Sequence, residues 1–112
     1  LFSSIKTADV DVILQDYEMF PWFGGMEIVP TPGHMPGHIS LYLKEFKTLI
    51  AGDALAVKNG KLVIANPEYT LDMPSAKQSV RQLLDYDINK IICYHGGIYE
   101  YKIKEALNKI IS

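Results

Sequence analysis

The sequence has only one cysteine, no long apolar run and no excess of positive charge. Cys93 is its single cysteine, so an internal disulfide is excluded. No apolar stretch approaches the roughly 20 residues that cross a membrane, and no signal peptide is visible. Eleven Lys and Arg residues against thirteen Asp and Glu residues give a net charge of -2. This balance offers no basic surface to nucleic acids or anionic membranes, and we expect a cytoplasmic protein that binds neither.

Histidines are also few, and two of the three lie in one short segment, Thr31–Ser40, with the sequence T-P-G-H-M-P-G-H-I-S. His34 and His38 are four residues apart, the interval that places two metal ligands on one helix face in H-E-x-x-H sites. Pro36 and Gly37 lie between them, and a proline in a helix interior costs about 3 kcal/mol. The segment is therefore predicted to be a structured loop in which the two histidines have separate roles.

Hydrophobic periodicity predicts an α/β or α+β fold, with strands first and two helices late in the chain. Predicted strands cover Asp9–Leu14, Met26–Val29, Ile39–Leu43, Thr48–Ala51 and Lys90–Tyr94. The dipeptide Asn59-Gly60 predicts a hairpin between Ala56-Val57 and Leu62–Ile64. Predicted helices, each with one buried face, cover Ser75–Tyr86 and Tyr99–Ile111. The aromatic-rich segment Asp16–Phe23 is predicted to be irregular.

Polar side chains follow three of these predicted strands at the point where each strand ends: His34, Asp53 and His95. If the strands over 26–29, 39–43 and 48–51 form a meander, the first and third run in the same direction. His34 and Asp53 then share one edge of the sheet, and placing His95 there is a further assumption. Two imidazoles and one carboxylate suit zinc or iron.

Each of these residues also has a plainer interpretation. His34 and His95 lie in glycine-rich turns, where a histidine can serve only as a hydrogen-bond partner of the backbone. Asp53 can be an ordinary turn or cap residue. His38 begins a strand, which favours a structural role in support of the site over direct contact with a metal. Cys93 lies within an apolar strand, which is typical of a buried thiol and not of a nucleophile.

Three segments together carry a family resemblance: Thr31–Ser40, the run L-I-A-G-D at Leu49–Asp53, and the run C-Y-H-G-G at Cys93–Gly97. They resemble the C-terminal half of the metallo-β-lactamase superfamily domain, as found in glyoxalase II-like zinc-dependent hydrolases. The resemblance covers roughly Asp9 to the end of the chain. It implies that residues 1–112 are half of an αββα sandwich, with mostly antiparallel strands followed by two helices that have one strand between them.

The resemblance also implies roles for the matching residues. His34 would complete the first metal site, Asp53 would bridge two metals as a catalytic residue, and His95 would complete the second site. Members of the family bind two zinc ions per complete domain, or in some cases iron or manganese. A water made acidic by the metals attacks an ester, thioester, lactone or amide carbonyl of a small-molecule substrate. The Val57–Tyr69 segment and Tyr99 are candidate walls of the substrate pocket.

The sequence departs from the family in one large respect. The H-x-H-x-D-H motif of the N-terminal half, which supplies four of the seven ligands, is absent, and the chain begins with Leu1. We therefore expect a C-terminal half-domain that binds metal weakly and is inactive when isolated. Its apolar sheet face would be covered by the missing N-terminal half or by a second copy of the chain in a homodimer. Two alternatives stay open: a di-iron redox relative, and a non-catalytic dimerisation or binding half-domain.

Overall fold

The computed structural model describes residues 2–7, 10–15, 17, 19–21, 24–33, 37–64 and 72–112. The strands in these ranges are β1 (Phe2–Thr7), β2 (Val10–Gln15), β3 (Met19–Phe20), β4 (Met26–Pro30), β5 (Ile39–Leu43), β6 (Thr48–Gly52), β7 (Leu55–Lys58), β8 (Lys61–Ile64), β9 (Lys90–Cys93) and β10 (Gly97–Tyr99). The helices are α1 (Met73–Leu83) and α2 (Ile103–Ile111). Neither helix is long and apolar enough to cross a membrane.

Six of the strands form one mixed sheet in the order β10-β9-β6-β5-β4-β3. Strands β4, β5 and β6 form an antiparallel meander, the arrangement that the shared edge of His34 and Asp53 requires. Strand β9 pairs with β6 in parallel, and every other pair in this sheet is antiparallel. The hairpins β1–β2 and β7–β8 are separate two-stranded sheets. The mixed fold with a mainly antiparallel sheet and two helices is the predicted fold class.

The main core lies on the face of the sheet that the two helices cover. Val29, Leu49 and Ile91 point to this face and are fully buried, as are Leu83 of α1 and Leu107 of α2. The buried apolar residues of both helices belong to this cluster. Alternation along the strands therefore gives this layer its apolar side chains, and the 3.6-residue period of the helices supplies the matching stripe.

The opposite face of the sheet is also apolar but less covered. Met26 and Ile28 are buried there and form a small cluster of their own. Strand register places further apolar side chains on the same face, and these are only partly buried: Ile39, Leu41, Leu43, Ile50 and Ile92. Ile98 at the end of this row is 54% exposed. We call this row of side chains the second sheet face.

The last third of the chain shows where prediction of the elements was wrong. Helix α1 begins two residues before the predicted Ser75 and ends three before the predicted Tyr86. Asp72 caps it, since its carboxylate accepts a hydrogen bond from the backbone N–H of Ser75 at 3.1 Å. The predicted helix over Tyr99–Ile111 is wrong in its first four residues. Lys102 has a left-handed backbone (φ 44°), which separates β10 from α2.

Three short or early strands escaped the sequence prediction. Strand β1 pairs with β2, although no strand was predicted over Phe2–Thr7. Met19 and Phe20 pair with β4 inside the segment predicted to be irregular, and residues 16, 18, 22 and 23 of that segment lie outside the described residues. Strand β10 adds a second strand between the two helices, where one was predicted. Strands β3 and β10, with two and three residues, carry too few side chains to show a period.

Cys93 is a buried residue of β9, as predicted. Its side chain is 4% exposed and belongs to the main core. Burial raises the pKa of the Cys93 thiol to about 11, because the thiolate would lose its solvation there. The thiol therefore packs as a small apolar side chain, and its burial disfavours the thiolate that a nucleophile requires.

Candidate metal centre

Asp53 and His95 meet at one edge of the main sheet. Each follows one of two neighbouring parallel strands, Asp53 after β6 and His95 after β9, so both lie at the carboxyl end of this pair. The Oδ1 atom of Asp53 is 3.7 Å from the Nε2 atom of His95. The Asp53 side chain is 37% exposed and that of His95 is 67% exposed, so both polar groups are open to a ligand from solvent.

A bulge at the end of β6 directs Asp53 to this edge. The register between β6 and β9 shifts between Ile50 and Gly52. Gly52 has a left-handed backbone (φ 58°), a conformation that glycine adopts at little cost. Its carbonyl oxygen accepts a hydrogen bond from the backbone N–H of Tyr94 at 3.0 Å. The turns that carry Asp53 and His95 are therefore tied together directly before each residue.

The β7–β8 hairpin supports His95 from the other side. The backbone N–H of Val57 donates to the carbonyl oxygen of His95 at 3.1 Å. Gly96 has φ 89° and lies so close to β7 that a Cβ atom there would be 2.1 Å from the carbonyl oxygen of Val57. The close approach requires glycine at position 96 and fixes the backbone of His95 against the hairpin.

The third predicted ligand, His34, lies outside the described residues, together with residues 35 and 36. The residues just before it are anchored on α1. The Oγ atom of Ser79 donates to the carbonyl oxygen of Pro32 at 2.8 Å. The backbone N–H of Asp72 donates to the carbonyl oxygen of Gly33 at 3.0 Å. The loop therefore leaves the sheet along a fixed path up to Gly33.

His38, the other histidine of this loop, lies beside Asp53. Its Nε2 atom accepts a hydrogen bond from the backbone N–H of Asp53 at 3.3 Å. Its Nδ1 atom is 2.8 Å from the Oγ1 atom of Thr31, which also shares a 2.8 Å hydrogen bond with the Oγ atom of Ser40. Thr31 and Ser40 bound the predicted loop, but the sequence indicated no role for either hydroxyl. Their only signal was a hydroxyl residue at each end of the loop.

The separation of the Asp53 and His95 donor atoms fits a shared metal ion. Zinc lies about 2.1 Å from imidazole nitrogen and carboxylate oxygen, so two ligands at a tetrahedral angle are about 3.4 Å apart. The observed Oδ1–Nε2 distance is 3.7 Å. No group of three or more His, Cys, Asp or Glu side chains comes together within the described ranges. The assignment of His34, Asp53 and His95 as ligands therefore stays a prediction.

A cavity with a volume of about 410 Å³ lies elsewhere, between β8 and α2. Tyr99, one predicted pocket wall, lines it together with residues 61–64 of the predicted Val57–Tyr69 wall. Residues 65–69 of that segment lie outside the described residues. Asp53 and His95 are not among the residues that line this cavity. Its relation to the candidate site as a substrate pocket stays untested.

Comparison with protein families gives a match over most of the chain. The model of the metallo-beta-lactamase superfamily matches residues 4–95. A curated protein of Methanocaldococcus jannaschii, described as a probable metallo-hydrolase, is 32% identical over 78 residues, which cover 70% of this chain and 37% of that protein. The chain thus spans about a third of the length of this relative.

Solved structures give the same picture of the fold. A metallo-beta-lactamase family protein of Thermus thermophilus superposes with a TM-score of 0.69 at 26% identity, over 88% of this chain and 33% of that one. A further structure, described as a di-iron-bound form, has a TM-score of 0.61 at 20% identity, over 82% of this chain and 44% of that one. At that identity the second likeness concerns the fold alone.

Proposed function

Because the chain belongs to the metallo-β-lactamase superfamily, we propose that it is the C-terminal part of a zinc-dependent hydrolase. The observation that carries this proposal is the 3.7 Å approach of Asp53 Oδ1 to His95 Nε2 at the ends of two parallel strands. The residues of the family motifs, far apart in sequence, thereby present one carboxylate and one imidazole to the same point. A probable metallo-hydrolase among the relatives supports the same class of activity.

Each predicted ligand has a distinct role in this proposal. Asp53 would supply a carboxylate to both metal ions, His95 would be a ligand of one of them and His34 a ligand of the other. Zinc bound there would supply a water of lowered pKa for attack on an ester, thioester, lactone or amide carbonyl. The chain itself holds the two turns at 53 and 95 in place through the hydrogen bonds of Gly52 and Val57.

The remaining ligands belong to a segment that this sequence does not contain. The family motif H-x-H-x-D-H would provide four of them, and the second sheet face would pack against the segment that carries it. Three ligands divided between two metals form an open site for each. We therefore expect the isolated chain to bind zinc weakly and to lack measurable hydrolase activity.

The second sheet face also predicts how the isolated chain behaves in solution. Without the covering segment, this face is an apolar surface of the chain. It consists of the half-buried side chains at 39, 41, 43, 50 and 92 and the exposed Ile98. We expect a second copy of the chain to cover this surface and form a homodimer. Light scattering at high protein concentration measures the mass. A monomer throughout would contradict this expectation.

Zinc titration of the chain tests the ligand assignment. His34→Ala, Asp53→Asn and His95→Ala are each expected to weaken zinc binding at least about tenfold, because each removes one of few ligands. Asp85→Asn is the matched control, since Asp85 is an exposed carboxylate outside the site. If Asp53→Asn and Asp85→Asn have the same effect, Asp53 is not a ligand and the proposal fails.

Metal identity separates hydrolysis from the redox alternative. The protein purified without added metal, in its longest natural form, is expected to contain zinc. Iron as the main metal, with reduction of oxygen or nitric oxide, would instead favour the di-iron interpretation. Absence of any bound metal from that form would favour the other alternative, a non-catalytic binding or dimerisation half-domain.

A further inference from the structure

His38 lies where the two loops of the candidate site come closest. It ends the loop that contains His34, and its carbonyl oxygen accepts a hydrogen bond from the backbone N–H of Thr31 at 2.9 Å. This bond extends the pairing of β4 with β5 by one step beyond Pro30 and Ile39. Thr31 and His38 thus close the base of the loop. The His38 ring faces the turn that carries Asp53.

The contacts of the His38 ring determine its tautomer. The backbone N–H of Asp53 can only donate, so Nε2 of His38 must accept and carries no proton. In the neutral imidazole the proton then lies on Nδ1. That N–H donates to the Oγ1 atom of Thr31 at 2.8 Å. An imidazole with its proton on Nε2 would leave the N–H of Asp53 without this acceptor.

The Thr31 hydroxyl that receives this bond is held rigidly. Thr31 is 2% exposed, and its Oγ1 atom shares a 2.8 Å hydrogen bond with Ser40, which is fully buried. Either hydroxyl of this pair can be the donor, so the Thr31 Oγ1 atom is able to accept the Nδ1 proton of His38 while it stays paired with Ser40. Gly52 leaves room for the ring, because a Cβ atom there would be 3.3 Å from Nε2 of His38.

We propose that His38 is a positioning residue, which as the Nδ1–H imidazole ties the base of the His34 loop to the backbone of Asp53. The chain Ser40–Thr31–His38–Asp53 then sets the distance between the two turns that carry predicted metal ligands. The role of His38 in placing metal ligands rests on the proposed function. The hydrogen bonds of the His38 ring can be tested without any metal.

Long-range proton–nitrogen correlation spectra of the chain with labelled histidine test the proposal. His38 is expected as the single Nδ1–H tautomer. Thr31→Val keeps the shape of the side chain but removes the acceptor of the Nδ1 proton, so this proton of His38 is expected to exchange faster with water. Exchange of the Asp53 amide proton should become about fivefold faster in this variant. Thr31→Ser keeps the hydroxyl and should restore both exchange rates.

Zinc titration of the same variants links the hydrogen bonds to the site. Thr31→Val is expected to weaken zinc binding about tenfold, as loss of groups that orient metal ligands does, and Thr31→Ser is not. An Nε2–H tautomer in the unmodified chain would overturn the proposal. So would a Thr31→Val variant that keeps the original exchange rates of the His38 and Asp53 protons. Failure of every variant and of the unmodified chain to bind zinc would contradict the proposed function, and the spectra would still decide the role of His38.

Discussion

Replacement of Gly33 by alanine is expected to lower the free energy of unfolding by about 3 kcal/mol and to displace the loop that carries His34. Gly33 has φ 137°, a conformation that residues with a side chain rarely adopt. An added Cβ would be 2.5 Å from the Cα atom of Ala76 and 2.6 Å from its backbone nitrogen. These are backbone atoms of α1, which cannot rotate away, so the loop or the helix must shift.

Gly37→Ala is the matched control for this substitution. Gly37 lies in the same loop, and a Cβ atom there would meet no atom of the described residues within 4 Å. The free energy of unfolding of this control should therefore lie within about 0.5 kcal/mol of that of the unmodified chain. Urea denaturation monitored by circular dichroism measures both variants. Equal stability of the two would show that the loop does not approach α1 as closely as the structure has it.

Replacement of Gly96 by alanine is expected to have the second largest effect. The added Cβ would be 2.1 Å from the carbonyl oxygen of Val57 and 2.8 Å from its carbonyl carbon. Relief of this clash would push the β7–β8 hairpin away and break the hydrogen bond from the Val57 N–H to the His95 carbonyl. The backbone beside a predicted ligand would then lose its support.

Gly97→Ala isolates the clash from backbone strain. Both glycines have positive φ, 89° at Gly96 and 82° at Gly97, so alanine is strained at either position. Only at Gly96 would the Cβ meet other atoms, and nothing lies within 4 Å of it at Gly97. In urea denaturation, Gly96→Ala should therefore lower the free energy of unfolding by about 2 kcal/mol more than Gly97→Ala does. A difference near zero would mean that the hairpin does not brace His95.

Much of the sheet could be predicted because its side chains alternate. Ile39–Leu43 was predicted with its observed bounds, and Asn59-Gly60 marked the β7–β8 hairpin correctly. The parallel pairing of β6 and β9 was only an assumption. Whether two segments 40 residues apart are neighbours depends on packing of the whole domain, which local patterns do not record. The strand β10 and the late start of α2 were missed for a local reason, the left-handed Lys102.

The candidate site, like the sheet, could be predicted only in part. Asp53 and His95 could be predicted as ligands because glycines beside strand ends mark sharp turns, and the family resemblance implies their roles. The support of the site was not visible in the sequence. Thr31, Ser40 and the N–H of Asp53 gather around His38 only once the register of β4, β5 and β6 is fixed. The clash partners of Gly33 and Gly96 are equally remote in sequence.

Manganese added to the chain at low ratio shows whether a metal ion binds between Asp53 and His95, since it reports where a metal lies even when binding is weak. Its unpaired electrons broaden amide signals of nearby residues in proton–nitrogen spectra. The proposed site predicts that signals of residues 52–54 and 94–97 broaden first, together with those of Gly33 and His38, which lie before and after His34 in the sequence. First broadening beside exposed acidic residues elsewhere, such as Asp85 or Glu105, would contradict it, because metal would then bind by surface charge alone.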